Sequence, residues 1–65
     1  MKVKDLIKEL QAHNPEMDIV RNGYEGGYSD LREARVIRIA RNVNDAWYYG
    51  PHEEDDNGEH VLLVT

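Results

Sequence analysis

The side chains best suited to molecular recognition in this sequence are its aromatic residues. The chain has four Tyr and one Trp but no Phe, so every aromatic ring carries a polar O–H or N–H group. Tyr and Trp are enriched where proteins bind partners. The five residues are Tyr24, Tyr28, Trp47, Tyr48 and Tyr49. A structural alternative is that Trp47 and some of the tyrosines complete a core that lacks Phe.

These aromatic residues lie in two glycine-containing segments, residues 23–30 and 47–56. Amphipathic rings beside glycine offer a large contact area next to adaptable backbone donors. Loops that leave the same end of a sheet can also converge. We therefore predict a binding site made from both loops, whose residues are Tyr24, Tyr28, Asp30, Trp47, Tyr48, Tyr49, His52 and Glu53.

An acidic segment accounts for the whole formal net charge of −5, because residues 1–50 contain eight acids and eight bases. Its carboxylates are Glu53, Glu54, Asp55, Asp56 and Glu59. Such a run is typical of a solvated loop, a cation site or a surface for a basic partner. The spacing from Glu53 to Gly58 partly matches an EF-hand loop, but Val64 stands where that loop needs a bidentate glutamate. A zinc site needs three or four fixed ligands. We predict no metal site and no cofactor.

Groups for covalent catalysis are scarce. The chain has no Cys, one serine (Ser29) and one threonine (Thr65). Ser29 precedes Asp30, but no histidine lies near it in sequence. A core this small is poorly able to exclude water around a catalytic triad. No phosphate-binding glycine motif is present either. We therefore predict that the protein is not an enzyme.

Charge and hydropathy also limit the partners. An acidic chain without a basic excess is unsuited to binding nucleic acid through phosphates. No apolar run approaches the roughly 18 residues of a membrane span. We expect a soluble, cytoplasmic protein that binds neither nucleic acid nor membrane.

The elements that must position these residues follow from hydrophobic periodicity. The pattern predicts a helix at 3–13 and strands at 16–21, 34–42, 46–49 and 60–65. The expected fold is α+β, with one N-terminal helix packed on a small antiparallel sheet (α-β-β-β-β) in a single domain, 1–65. Its predicted core consists of Val3, Leu6, Ile7, Leu10, Ile19, Ile37, Ile39 and Leu62.

The last predicted strand is apolar on both faces, since Val61, Leu62, Leu63 and Val64 follow one another. A sheet covered on one side needs only one apolar face. We therefore predict a homodimer in which this strand contributes to the contact.

Three segments of the chain resemble a family of small proteins encoded by phages and prophages. They are VKDLIKELQAHNPEMDIV, GGYSD and WYYGPHE, which together make up 30 of the 65 residues. The resemblance implies an accessory gene of a kind that often inhibits or diverts host machinery, acting in the host cytoplasm. The chain departs from the family at Lys2, where a capping Ser or Thr is usual, and at Met17–Val20, which replaces the usual strand sequence.

Two functions are consistent with these features. The first is binding and inhibition of a host component, such as a defence protein, through the Tyr/Trp-rich loops and the acidic loop. The alternative is a small-ligand binder that sequesters a nucleotide-like molecule between the two loops. A ligand site would place Tyr24, Tyr28, Tyr48 and His52 around one concave pocket, whereas a protein binder would spread them over a flat surface.

Overall fold

One N-terminal helix and two small antiparallel sheets make up the fold, which confirms the α+β prediction. The structure, a computed structural model, describes residues 1–65. The chain divides into a first unit, residues 1–32 together with Thr65, and a second unit, residues 33–64. The strands form one sheet of two strands and one of three, where the sequence predicted a single sheet of four.

Helix α1 opens the first unit and spans Val3–Leu10. Lys2 at its N-cap has no side-chain acceptor, but Asp5 Oδ2 accepts a hydrogen bond from the Lys2 backbone N–H at 3.0 Å. Asp5 thus supplies half of a capping box and partly offsets the missing Ser or Thr. The helix ends earlier than predicted because residues 11–13 tighten into a turn, in which the His13 N–H bonds the carbonyl three residues back.

A two-stranded ribbon follows, made of β1 (Val20–Asn22) and β2 (Tyr28–Asp30). The predicted strand at 16–21 begins four residues late. Asn14 is the reason, since its side-chain oxygen accepts from the Glu16 N–H at 2.9 Å and holds this part of the chain in a turn.

The loop between β1 and β2 is shorter than predicted, which lets β2 form inside the segment expected to be irregular. The Gly23 N–H donates to the Gly27 carbonyl oxygen at 2.9 Å and closes the loop. Glu25, Gly26 and Gly27 all have positive φ, at 62°, 149° and 63°. Two of these three positions are glycine, the residue that adopts such angles most easily.

The second unit is built on β3 (Ala34–Ala40), the central strand of a three-stranded antiparallel sheet. On one side β3 pairs with β4 (Glu53–Glu54), and on the other with β5 (Glu59–Val64). β3 was predicted from the β-branched alternation of VIRIA and β5 from the apolar run of HVLLVT, and the structure confirms both strands to within two residues at each end. The strand at Glu53–Glu54 was not predicted.

The two faces of this sheet differ in burial. One face carries Ile39, which is 9% exposed, and three half-buried residues, Ile37, Val61 and Leu63. The opposite face carries four exposed apolar residues, Ala34, Val36, Leu62 and Val64, which we call the apolar stripe. Ile39 is the one buried side chain of the protein.

The predicted core is therefore largely wrong in extent. Ile39 is buried and Leu6 and Ile37 are half-buried, whereas the other predicted members are 44–54% exposed. These are Val3, Ile7, Leu10, Ile19 and Leu62. Periodicity identifies the apolar side of an element, but elements as short as these bury little surface in one chain.

Gly58 is required where the chain enters β5. A Cβ atom at this position would overlap the Ile39 carbonyl oxygen, whereas a Cβ at Gly50 would meet nothing within 4 Å. We predict that Gly58→Ala lowers the free energy of unfolding by about 1–3 kcal/mol, because the central strand must shift. Gly50→Ala is the matched control and should change it little. Urea unfolding measures both, and equal values for the two variants would contradict this packing.

Candidate functional site

The aromatic triplet Trp47–Tyr49 lies in a loop of the second unit, residues 41–52. The predicted strand at 46–49 is wrong, because this segment forms a turn in which the Tyr49 N–H donates to the Ala46 carbonyl oxygen at 3.2 Å. The β propensity of the aromatic residues is overridden by polar contacts at both ends of the loop.

Asn44 makes most of those contacts. Its side-chain amide donates to the Gly50 carbonyl oxygen at 2.8 Å and to Glu53 Oε1 at 2.9 Å. Its backbone N–H and that of Val43 both donate to the Pro51 carbonyl oxygen, at 3.1 and 2.8 Å. One asparagine thus ties the start of the loop to its end and presents the three rings between them.

The rings themselves lie in solvent. Trp47 is 94% exposed, Tyr48 77% and Tyr49 57%. Trp47 and Tyr48 pack only edge to face, with ring centroids 5.6 Å apart and planes at 89°. Such exposure excludes the alternative in which Trp47 and Tyr48 replace Phe in the core.

The tyrosines of the first unit are also exposed. Tyr24, in the loop after β1, is 92% exposed, and Tyr28, the first residue of β2, is 78% exposed. Tyr28 and Asp30 are two residues apart on a strand and therefore share one face of the ribbon. Ser29 is half-buried and lies on the other face.

His52 and Glu53, which were predicted to contact a partner, have hydrogen bonds within their own loop. His52 Nδ1 accepts from the Asn42 backbone N–H at 3.1 Å, and Glu53 accepts from Asn44. The neutral His52 ring therefore carries its proton on Nε2. Both residues position the aromatic triplet, and their direct contact with a partner stays a prediction.

An ion pair closes the base of the loop. Arg41 Nε donates to Glu59 Oε1, and Arg41 Nη2 lies 3.4 Å from Glu59 Oε2. The hydrogen bond from Arg41, assisted by its charge, lowers the pKa of Glu59, and the same bond raises the pKa of Arg41. Both side chains are exposed, so the pair is screened by solvent and salt.

A polar cluster that the sequence did not predict lies on the same face of the sheet as the apolar stripe. Arg38 Nε donates to His60 Nε2 at 3.0 Å, and Arg38 Nη1 donates to the Asp56 carbonyl oxygen at 2.8 Å. The cluster borders an open cleft of about 460 Å³. Arg38 and His60 are 22 residues apart and meet only through the β3–β5 register, which no local pattern encodes.

A larger and mostly apolar cleft of about 760 Å³ lies within the first unit, where α1 residues Ile7 and Leu10 face Met17 and Ile19. None of the eight predicted site residues lines either cleft. No group of three or more His, Asp and Glu side chains is arranged to hold a metal ion. None of the chain's helical structure is long and apolar enough to cross a membrane.

Comparison with known proteins identifies no relative of this chain. No protein-family model, curated protein or solved structure matches the chain significantly. The resemblance to phage-encoded proteins therefore stays a prediction.

The Arg41–Glu59 pair should make stability depend on pH. Because the pKa of Glu59 is lowered on folding, the pair stabilises the folded state above the ordinary glutamate pKa of about 4.3, and this contribution is lost as the pH falls below it. We predict that Glu59→Gln is less stable than the wild type at pH 6 and that this difference shrinks as the pH falls to 3.

Glu54→Gln is the matched control, because Glu54 lies in the same sheet and its side chain has neither a hydrogen bond nor an ion pair. It removes the same charge and should not lower stability at pH 6. Thermal unfolding across this pH range measures the difference. An unchanged gap between Glu59→Gln and the wild type from pH 6 to 3 would rule out this ion pair as its origin.

Proposed function

We propose that this chain is a non-enzymatic binding protein that inhibits a partner protein by covering part of the partner's surface. The contact is made by the two segments that carry the aromatic residues, 23–30 and 47–56, which we call the aromatic loops. The observation that carries the proposal is the exposure of Trp47 and Tyr24, at 94% and 92%. Apolar rings left in water by the folded chain are available for burial in a complex. Trp and Tyr are the side chains that most often dominate binding energy at protein interfaces.

The fixed geometry of the 41–52 loop supports this role. Its backbone is closed by Asn44 and by the Arg41–Glu59 pair, so the aromatic triplet is presented by a loop that is already ordered. An ordered loop loses less conformational entropy on binding, which leaves more of the burial energy as affinity.

The acidic segment supports a partner with a basic surface. Glu54 and Asp56 are exposed, and neither carboxylate is paired with a cation in the structure. Exposed carboxylates beside an aromatic anchor raise the association rate with a basic surface and disfavour acidic partners. We expect binding to weaken as ionic strength increases.

The resemblance to phage-encoded accessory proteins supports a host protein, such as a defence component, as the partner in the host cytoplasm. The alternative, capture of a nucleotide-like ligand, needs a concave site lined by the aromatic loops. The two clefts described above are lined by other residues. The near-complete exposure of Trp47 and Tyr24 is why we favour a protein partner.

Two variants test the proposal, Tyr28→Ala in the first unit and Tyr48→Ala in the second. These tyrosines are chosen because they are 78% and 77% exposed. The control is Met17→Ala, which removes an apolar side chain that is 62% exposed and lies outside both loops. Each tyrosine variant should weaken binding by about 2 kcal/mol, roughly 30-fold, and change the free energy of unfolding by less than about 0.5 kcal/mol. Met17→Ala should do neither.

The measurement is native mass spectrometry of tagged protein recovered from host-cell lysate, followed by titration of the recovered partner. Recovery of a host protein that both tyrosine variants fail to retain supports the proposal. Recovery of a bound nucleotide-like molecule instead would favour the alternative function. Full retention of the partner by both variants would place the site outside the aromatic loops.

A further inference from the structure

The two edges of the three-stranded sheet are protected very differently. The β4 edge has only two residues, Glu53 and Glu54, and adjacent carboxylates discourage another strand from pairing there. The β5 edge has six residues, of which the last four are apolar, and it contains neither Lys nor Pro. The β4 edge is thus protected by its short length and adjacent charges, whereas the longer β5 edge has one charged residue, Glu59, at its start.

The chemistry of the β5 edge restricts what can cover it. β5 pairs only with β3, and no other backbone hydrogen bond reaches residues 60–64. An edge strand presents a row of unpaired N–H and C=O groups, which another strand satisfies most completely. A protein partner that satisfies this edge with backbone hydrogen bonds must therefore be an extended chain.

We propose that β5 pairs antiparallel with β5 of a second copy of this chain, around a two-fold axis through Leu62. The two sheets would then join into one sheet of six strands. This interface uses neither aromatic loop, so it stands independently of the proposed function.

The proposed position of the two-fold axis at Leu62 fixes the register. In an antiparallel pair related by a two-fold axis, the axis is perpendicular to the sheet, so residues that face each other lie on the same face in both copies. Leu62 then lies opposite its own counterpart, His60 opposite Val64, and Glu59 opposite Thr65. No like charges meet, and the apolar residues of the strand are brought together.

The second copy also extends an apolar surface that one chain leaves exposed. Leu62 and Val64, the two residues of the apolar stripe on β5, are 44% and 46% exposed. In the six-stranded sheet the two copies of the stripe become neighbours, so Leu62 packs on its counterpart with Cβ atoms about 4.5–5.5 Å apart. An unrelated strand would present matching apolar residues on the same face only by chance, whereas a second copy of this chain always presents them.

The test is sedimentation equilibrium of the full chain and two lysine variants. The wild type should be a dimer at high micromolar concentration. Leu62→Lys places two ammonium groups opposite each other at the axis and should raise the dimer dissociation constant about tenfold or more. The matched control is Val36→Lys, which changes the directly opposite residue of β3 on the same face but not the edge. It should remain dimeric.

A mixing experiment tests the register itself. Leu62→Glu alone should also dissociate, whereas an equimolar mixture of Leu62→Lys and Leu62→Glu should form a heterodimer, because opposite charges then meet at the axis. If the single variants fail to fold by circular dichroism, amide hydrogen exchange of the wild type replaces them. Amides of β5 should gain protection as the concentration is raised from low to high micromolar, and those of β1 should not.

Three results would overturn the proposal. The first is a wild type that stays monomeric, with β5 exchange independent of concentration. The second is a folded Leu62→Lys variant that dimerises as tightly as the wild type. The third is dissociation of Val36→Lys to the same extent as Leu62→Lys, which would place the contact on the face of the sheet instead of its edge.

Discussion

The contact between Gly58 and the backbone of Ile39 lies at the one buried side chain of the protein, that of Ile39, which is 9% exposed. The other elements of the second unit are arranged around this part of β3. β4 and β5 pair with β3 on its two sides, and the loop that carries Trp47 follows the end of β3. With so little apolar burial, backbone pairing and side chain to backbone hydrogen bonds fix the local geometry. Asn44 holds one loop by such bonds, and Asn14 fixes the turn that follows α1.

The small extent of the buried core explains why the aromatic residues are exposed. A chain of 65 residues with a larger core would be expected to use its Trp and Tyr inside, where they contribute most to stability. Here β-branched and aliphatic residues of β3 and β5 provide the burial, and the rings stay in water. Exposing those rings to water stabilises an isolated chain less than burying them would. In a chain that binds partners, the free energy of burying the rings is gained on association.

How much the sequence predicts depends on the range of the interactions. Local patterns predict the start of α1, the long strands β3 and β5, and the glycine loops, since each depends on residues a few positions apart. The Arg38–His60 contact and the Arg41–Glu59 pair depend on the β3–β5 register, which joins distant segments. The turn at 46–49 was missed because Asn44 bonds outweigh aromatic strand propensity.

Trp47 offers the most direct measurement, since it is the only tryptophan and its exposure carries the functional account. Acrylamide quenching of its fluorescence in the free protein can be compared with that of N-acetyltryptophanamide and of the urea-unfolded chain. A ring that is 94% exposed should be quenched about as strongly as in both references. Quenching several-fold weaker than in the unfolded chain, with a blue-shifted emission, would mean that Trp47 is buried and would contradict the account.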